Sequence, residues 1–170
     1  MKNLRRRSGS TLVEFALVLP LLFLLIVNVV NFAGFLFAWI TLANAARAAA
    51  QYQVMGPASV FGPPAPTAAL IYNVASADIS SLTNRVTLAV RSCTNNNGVI
   101  ACTVTGGGTF PANPAADGRP EASNFVMAWT DIRYTFRPYL PLYNFPGLNI
   151  NLTLPSQLTM RRRTVMRMLQ

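Results

Sequence analysis

Arg5-Arg6-Arg7-Ser8-Gly9-Ser10-Thr11-Leu12-Val13-Glu14 is followed by an apolar run, and this stretch decides the fold. From Phe15 to Ala46 no residue carries a charge. The run exceeds the ~20 residues that cross a bilayer. Lys2, Arg5, Arg6 and Arg7 lie just outside it, and Glu14 sits at its very start. Basic residues ahead of an apolar span set topology, with the basic side retained in the cytoplasm. The expected placement is a single-pass inner-membrane protein, its N-terminus cytoplasmic and everything after Arg47 extracytoplasmic. An ordinary secretory signal fits poorly, because its apolar region is only about 7–15 residues long and a small-residue cleavage site follows it. The small residues from Ala45 to Ala50 mimic such a site but follow far too long a segment.

The apolar run reads as helix from near Thr11, and the Ala-rich stretch from Thr41 to Tyr52 prolongs it. No breaker interrupts this extension before Gly56-Pro57. About 43 residues at 1.5 Å each make a rod of ~65 Å, so its outer half extends beyond the ~30 Å hydrocarbon layer. Pro20 removes one helical hydrogen bond and is expected to kink or loosen the helix. Asn28 and Asn31 are polar at membrane depth. They either bond to a neighbouring helix or find partners within their own helix and local water. Gly34/Ala38 and Ala46/Ala50 repeat small residues at spacing four, which lets helices approach closely but is also plain helix propensity.

The sequence divides into 1–9, a leader; 10–55, the helix and its extension; 56–66, a Pro/Gly linker; and 67–170, an extracytoplasmic domain. In that domain Thr67 is the expected N-cap of a short helix, with Leu70, Ile71 and Val74 as its apolar stripe. The period then changes to two: Val86, Leu88 and Val90 alternate with Arg85, Thr87, Ala89 and Arg91, a half-buried strand. Asn97-Gly98 is a hairpin signal. A two-residue turn there pairs Asn96 with Val99 and Cys93 with Cys102, at a non-hydrogen-bonded position with Cα atoms about 4.5 Å apart. An extracytoplasmic setting favours a disulfide between them over two free thiols. The same register puts Val104 opposite Arg91, on the polar face, which a bulge or a longer turn would repair.

A long polar loop covers 106–123. The next strand, 125–137, places Val126, Ala128, Ile132, Tyr134 and Phe136 on one face. Trp129 falls on the other, toward the long helix or a partner. The strand pieces 148–154 and 158–168 are separated by Pro155. On the last, Arg161, Arg163 and Arg167 share a face, with Leu158, Met160, Met166 and Met168 on the other. These arginines read first as a solvated face, then as a contact for anionic lipid or an acidic partner subunit. Aromatic platforms do not interleave with them, so no nucleic acid is expected. The fold class is therefore α+β: a long N-terminal membrane-spanning helix carrying a short helix and an antiparallel sheet.

Chemistry is scarce. The 170 residues carry a net charge of +9, yet contain no His and only five acids. The commonest general base and metal ligand is thus missing. The only Lys is Lys2. Neither an enzyme, nor a metal, nor a cofactor is expected.

The segment from Gly9 through Glu14 to Leu22 resembles the TadE-like minor pilins, or pseudopilins, of the tight-adherence (Tad, Flp-type) pilus system. The Ala45-Ala46-Arg47-Ala48-Ala49 helix continues the likeness. So, more loosely, does Ile132-Arg133-Tyr134-Thr135-Phe136-Arg137-Pro138-Tyr139-Leu140-Pro141 with the strand ending at Met160-Arg161. The resemblance implies a pilin-like fold and cutting between Gly9 and Ser10 by a prepilin peptidase. It also implies partners: other pilin and minor pilin subunits, the inner-membrane Tad assembly platform and membrane lipid. It departs from ordinary type IV pilins in having Ser10 where Phe is common, and from Flp-type motifs in having Phe15 where Tyr often follows the Glu. Cutting after Gly9 leaves +5 of the charge. Three classes compete: a minor pilin, an uncleaved membrane-anchored assembly factor, and an extracytoplasmic enzyme, which the missing His and few acids oppose.

Overall fold

A computed structural model describes residues 8–58, 66–82, 88–96, 99–111, 125–140 and 154–169. The elements are helix α1 (Ser8–Ala58), helix α2 (Ala68–Asp78) with a 3-10 turn at Ile79–Ser81, and strands β1 (Ala89–Asn96), β2 (Val99–Gly106), β3 (Phe125–Phe136) and β4 (Leu158–Leu169). The strands form one antiparallel sheet in the order β2-β1-β3-β4. This is the α+β arrangement read from the sequence. The leader cations Lys2, Arg5, Arg6 and Arg7, the Asn97-Gly98 turn and all but the last residue of the expected strand 148–154 lie outside the described residues.

The chain forms two compact units. One holds α1 as far as Leu36 together with the segment from Pro138; the other holds the rest of α1, α2 and the sheet. In the first, α1 runs through Pro20 with no break in the helix. Every residue from Thr11 to Leu19 is exposed. Asn28 Nδ2 donates to its own helix at Leu24 O, 3.0 Å. Asn31 is tied to the chain far downstream. Its Nδ2 donates to Leu140 O, and Leu140 N donates back to its Oδ1, both at 3.0 Å. The pair satisfies the buried amide with a partner that was not among those expected, the backbone of a segment 109 residues downstream. The Tyr139 ring occupies the space that a side chain on Gly34 would need.

In the second unit α1 buries Ala38, Leu42, Ala45, Ala46, Ala49, Ala50 and Gln53. Their spacing of three and four makes a single stripe. Gln53 fixes that stripe to the sheet: its Nε2 donates to Cys93 O, and its Oε1 accepts from Thr130 Oγ1, each at 3.1 Å. Two satisfied bonds of about 0.5–1.5 kcal/mol net each explain a buried amide among alanines. Arg162 lies over the Trp39 ring, 3.8 Å from its centroid. The sheet face that carries Thr130 and Arg162 also buries Leu88, Val90, Ala128, Ile132, Tyr134, Phe136 and Met160.

Several local expectations shift. The backbone of α1 starts at Ser8 and extends to Ala58, taking in the first residues of the expected linker; helix ends vary by one or two residues with the criterion used. α2 begins after Thr67, whose hydroxyl accepts from Leu70 N, but its buried residues are Ile71 and Ala75. Leu70 is exposed, because only the i, i+4 row toward Ile79 faces inward. Leu88, Ala89, Val90 and Arg91 are all buried, so the start of β1 is covered on both faces and does not alternate. β3 is likewise buried on both faces from Met127 to Ile132. The hairpin keeps Cys93 opposite Cys102 and Val104 opposite Arg91 with no bulge. Val104 is simply left exposed. At the end of β2, Gly106 has φ of 101°, a backbone that side chains rarely adopt, and its missing side chain admits Leu88 O.

Candidate functional site

Two regions of the chain carry groups that can act. The first is the start of α1. Gly9 and Ser10 lie in its opening turn, and Glu14 follows one turn later on an exposed surface. Beyond Glu14 the helix presents Phe15, Leu17, Leu21, Leu22, Phe23 and Leu25 outward. Each such side chain gains about 1.5–3 kcal/mol on leaving water. The span Thr11–Met55 contains an 18-residue window of which only 6% is buried, so its apolar surface is not consumed by packing within the protein. Length and composition thus fit a single-pass membrane protein.

The second region is on the opposite face of the sheet. Antiparallel register brings Arg91 of β1 opposite Asp131 of β3, and Asp131 opposite Arg163 of β4. The Asp131 carboxylate is wholly buried. Arg91 Nη2 reaches its Oδ2 at 2.9 Å, Arg161 Nε reaches its Oδ1 at 2.7 Å while Arg161 Nη2 meets Oδ2, and Arg163 Nε stands 3.8 Å away. Arg161 is held charged above its ordinary range, first by that hydrogen bond and then by the charge of Asp131, against the cost of burial. The segment after β2 closes over this centre. Pro111 O accepts from Arg91 Nη1 at 2.8 Å, Thr109 O accepts from Arg133 Nη1, and the Phe110 ring lies 4.9 Å from the Arg91 guanidinium carbon. Beside it Gly107, Gly108, Thr109, Arg133 and Thr135 line an open cleft of about 420 Å³. Next along this face, Cys93 and Cys102 form a disulfide with Cα atoms 4.1 Å apart. Trp129 and Met127 pack on Cys93, so Trp129 covers the disulfide.

The sequence grouped Arg161, Arg163 and Arg167 correctly on one face but missed Asp131, Arg91 and Arg133. The available signal was parity: Trp129, Asp131 and Arg133 alternate together on β3, as do Arg91 and Cys93 on β1. Arg91, placed by alternation on the polar face of its strand, is buried, with Asp131 neutralising it. Among the described residues no cluster of three or more His, Cys, Asp or Glu side chains could hold a metal.

Residues 9–51 match the family model of TadE-like proteins. No curated protein and no solved structure matches the chain. The TadE-like segment begins at Gly9 and ends within α1, taking in Ser10, Glu14 and the exposed apolar residues from Leu12 to Ile40. It covers about a quarter of the chain. The Asp131 centre and the disulfide lie outside it. The similarity to TadE-like proteins is thus confined to the helix and says nothing specific about the sheet.

Proposed function

We propose that this chain is a minor pilin, or pseudopilin, of a Tad/Flp-type pilus, cut after Gly9 by a prepilin peptidase. Its apolar helix packs with other pilin subunits to initiate, cap or support the filament. The observation that carries this reading is the TadE-like match, which starts at Gly9 and follows the unburied apolar helix through Glu14.

Cutting at Gly9 creates an α-amine on Ser10, one helical turn from Glu14. A carboxylate carried to the centre of a bilayer costs on the order of 3 kcal/mol. Pairing Glu14 with the Ser10 amine, its own or that of an adjacent subunit, offsets this cost and sets axial register between helices. The helix then passes from lipid into a filament core that is equally apolar, and the hydrogen bond missing at Pro20 eases its extraction. Gly9→Ala is expected to abolish cutting, read by the mass of the mature N-terminus. Glu14→Ala is expected to leave cutting intact and to suppress pilus assembly; normal piliation would remove the pairing role.

One observation favours a second reading, an uncleaved single-pass assembly factor of the inner-membrane Tad machinery. The Gly9–Ser10 bond is part of the first helical turn, where a peptide bond is less open to a peptidase than in extended chain. An intact Met1 on the native protein would select this alternative.

A further inference from the structure

β4 is the last strand of the order β2-β1-β3-β4, and among the described residues its outer edge pairs with no strand. It is 12 residues long and contains no proline. Such an edge displays unpaired backbone donors and acceptors along its length, a template for another chain. On one face this edge carries Arg161, Arg163 and Arg167, with Arg133 directly opposite Arg161 on the neighbouring strand. Like charges placed opposite each other weaken a sheet. Among the described residues Asp131 is the single acid in the sheet, and it serves Arg91, Arg161 and Arg163 together. Among the described residues positive charge is in surplus on this face, where Arg161 and Arg163 remain more than a third open.

We infer that the outer edge of β4 receives an extended segment of a partner protein that carries Asp or Glu at every second position. An added strand places alternate side chains on the arginine face, at the same two-residue repeat as Arg161 and Arg163. Arginine suits this role because its planar fork grips a carboxylate through two hydrogen bonds. Arg161 is already oriented by Asp131 and lies 5.9 Å from the Phe110 ring centre, so little freedom is lost on binding. The charge pattern also disfavours a second copy of this chain pairing edge to edge through β4, since most registers set arginine opposite or diagonal to arginine. An anionic lipid surface would exploit the charge but not the two-residue spacing. The inference concerns the sheet and stands apart from the pilus reading of α1.

The test uses the full-length protein in detergent micelles. The probes are a fluorescent peptide of about eight residues with glutamate at alternate positions between threonines, a peptide of equal composition with its glutamates consecutive, phosphatidylglycerol vesicles, and inorganic phosphate. The alternating peptide is expected to bind best and to weaken as salt rises. Arg163→Gln should lower its affinity about fivefold, a cross-strand charge pair being worth up to ~1 kcal/mol. Arg163→Lys should give an intermediate loss, and Arg47→Gln, an exposed site on α1, should change nothing. Thermal unfolding of the Arg163 variants should stay close to that of the parent, since this guanidinium stands farther from Asp131 than its two neighbours. Equal binding of the two peptides, an equal loss from Arg47→Gln, or no peptide binding would overturn the inference, the last leaving the arginines as a guard against edge pairing. Binding by the vesicles or phosphate but not by the peptide would overturn it in favour of a phosphate-bearing ligand.

Discussion

Asp131→Ala is expected to destabilise the sheet unit by about 3–5 kcal/mol, because removing one partner of a buried ion cluster leaves the others uncompensated. Arg91 bears most of this. Its side chain is 3% exposed, and among the described residues its other polar and ring contacts are a backbone carbonyl at Pro111 and the Phe110 ring. Arg161 and Arg163 can turn toward water and recover part of their solvation. The loss should therefore exceed that from Arg163→Ala, for which a half-exposed pair contributes at most ~1 kcal/mol. Urea unfolding of the full-length protein, followed by the fluorescence of Trp39 and Trp129, measures both. Replacing Arg91 and Asp131 together by Met and Leu should restore much of the stability, since well-packed apolar residues often match a buried pair. A loss below about 1 kcal/mol for Asp131→Ala would mean that water reaches Arg91. The pH response follows the same geometry. The Arg161 pKa is raised in the folded state, so its contribution is fully present below the ordinary arginine range and disappears only above it. Between pH 6 and 9 that group should leave the unfolding midpoint unchanged.

Reduction of Cys93–Cys102 is the second large effect expected. The bridge closes a loop of about ten residues, worth roughly 2.5 kcal/mol in the chain-entropy account; removing a native disulfide from a small domain costs about 2–5 kcal/mol. Its position raises the effect toward the upper part of that range. Cys93 is buried against Trp129 and Met127, and its carbonyl accepts the Gln53 bond from α1. Loosening β1 at this residue therefore disturbs both faces of the sheet. Dithiothreitol, which leaves both sulfurs in place, should lower the urea midpoint by the loop contribution. Cys93→Ala with Cys102→Ala should lower it further by the lost packing. An unchanged midpoint in dithiothreitol would show that the hairpin register is held by the ladder alone.

What the sequence revealed follows the range of the interactions. The apolar helix, the Thr67 cap and the pairing of Cys93 with Cys102 all depend on residues within about ten positions of each other. So does the shared face of Arg161, Arg163 and Arg167. The contacts that were not legible join distant segments: Arg91 to Asp131, Gln53 to Thr130, and Asn31 to Leu140. Alternation identifies an inner face only where the outer face meets water. At Leu88–Arg91 and Met127–Ile132 both faces are covered, and the period loses its meaning. The same limit hid the charge centre, since an isolated Arg91 looks solvated until the β1–β3 pairing supplies its carboxylate.

Timing gives the Asn31 pair a further meaning. Its two partners are separated by 109 residues. Translation at about 5–20 residues per second delivers Leu140 roughly 5–20 seconds after Asn31. Through that interval the helix is already made, and its amide lacks the backbone group that finally holds it. Until the 138–140 segment arrives, the Asn31 amide must find its donor and acceptor elsewhere, so this one polar site of α1 is completed last although the helix that carries it is made first.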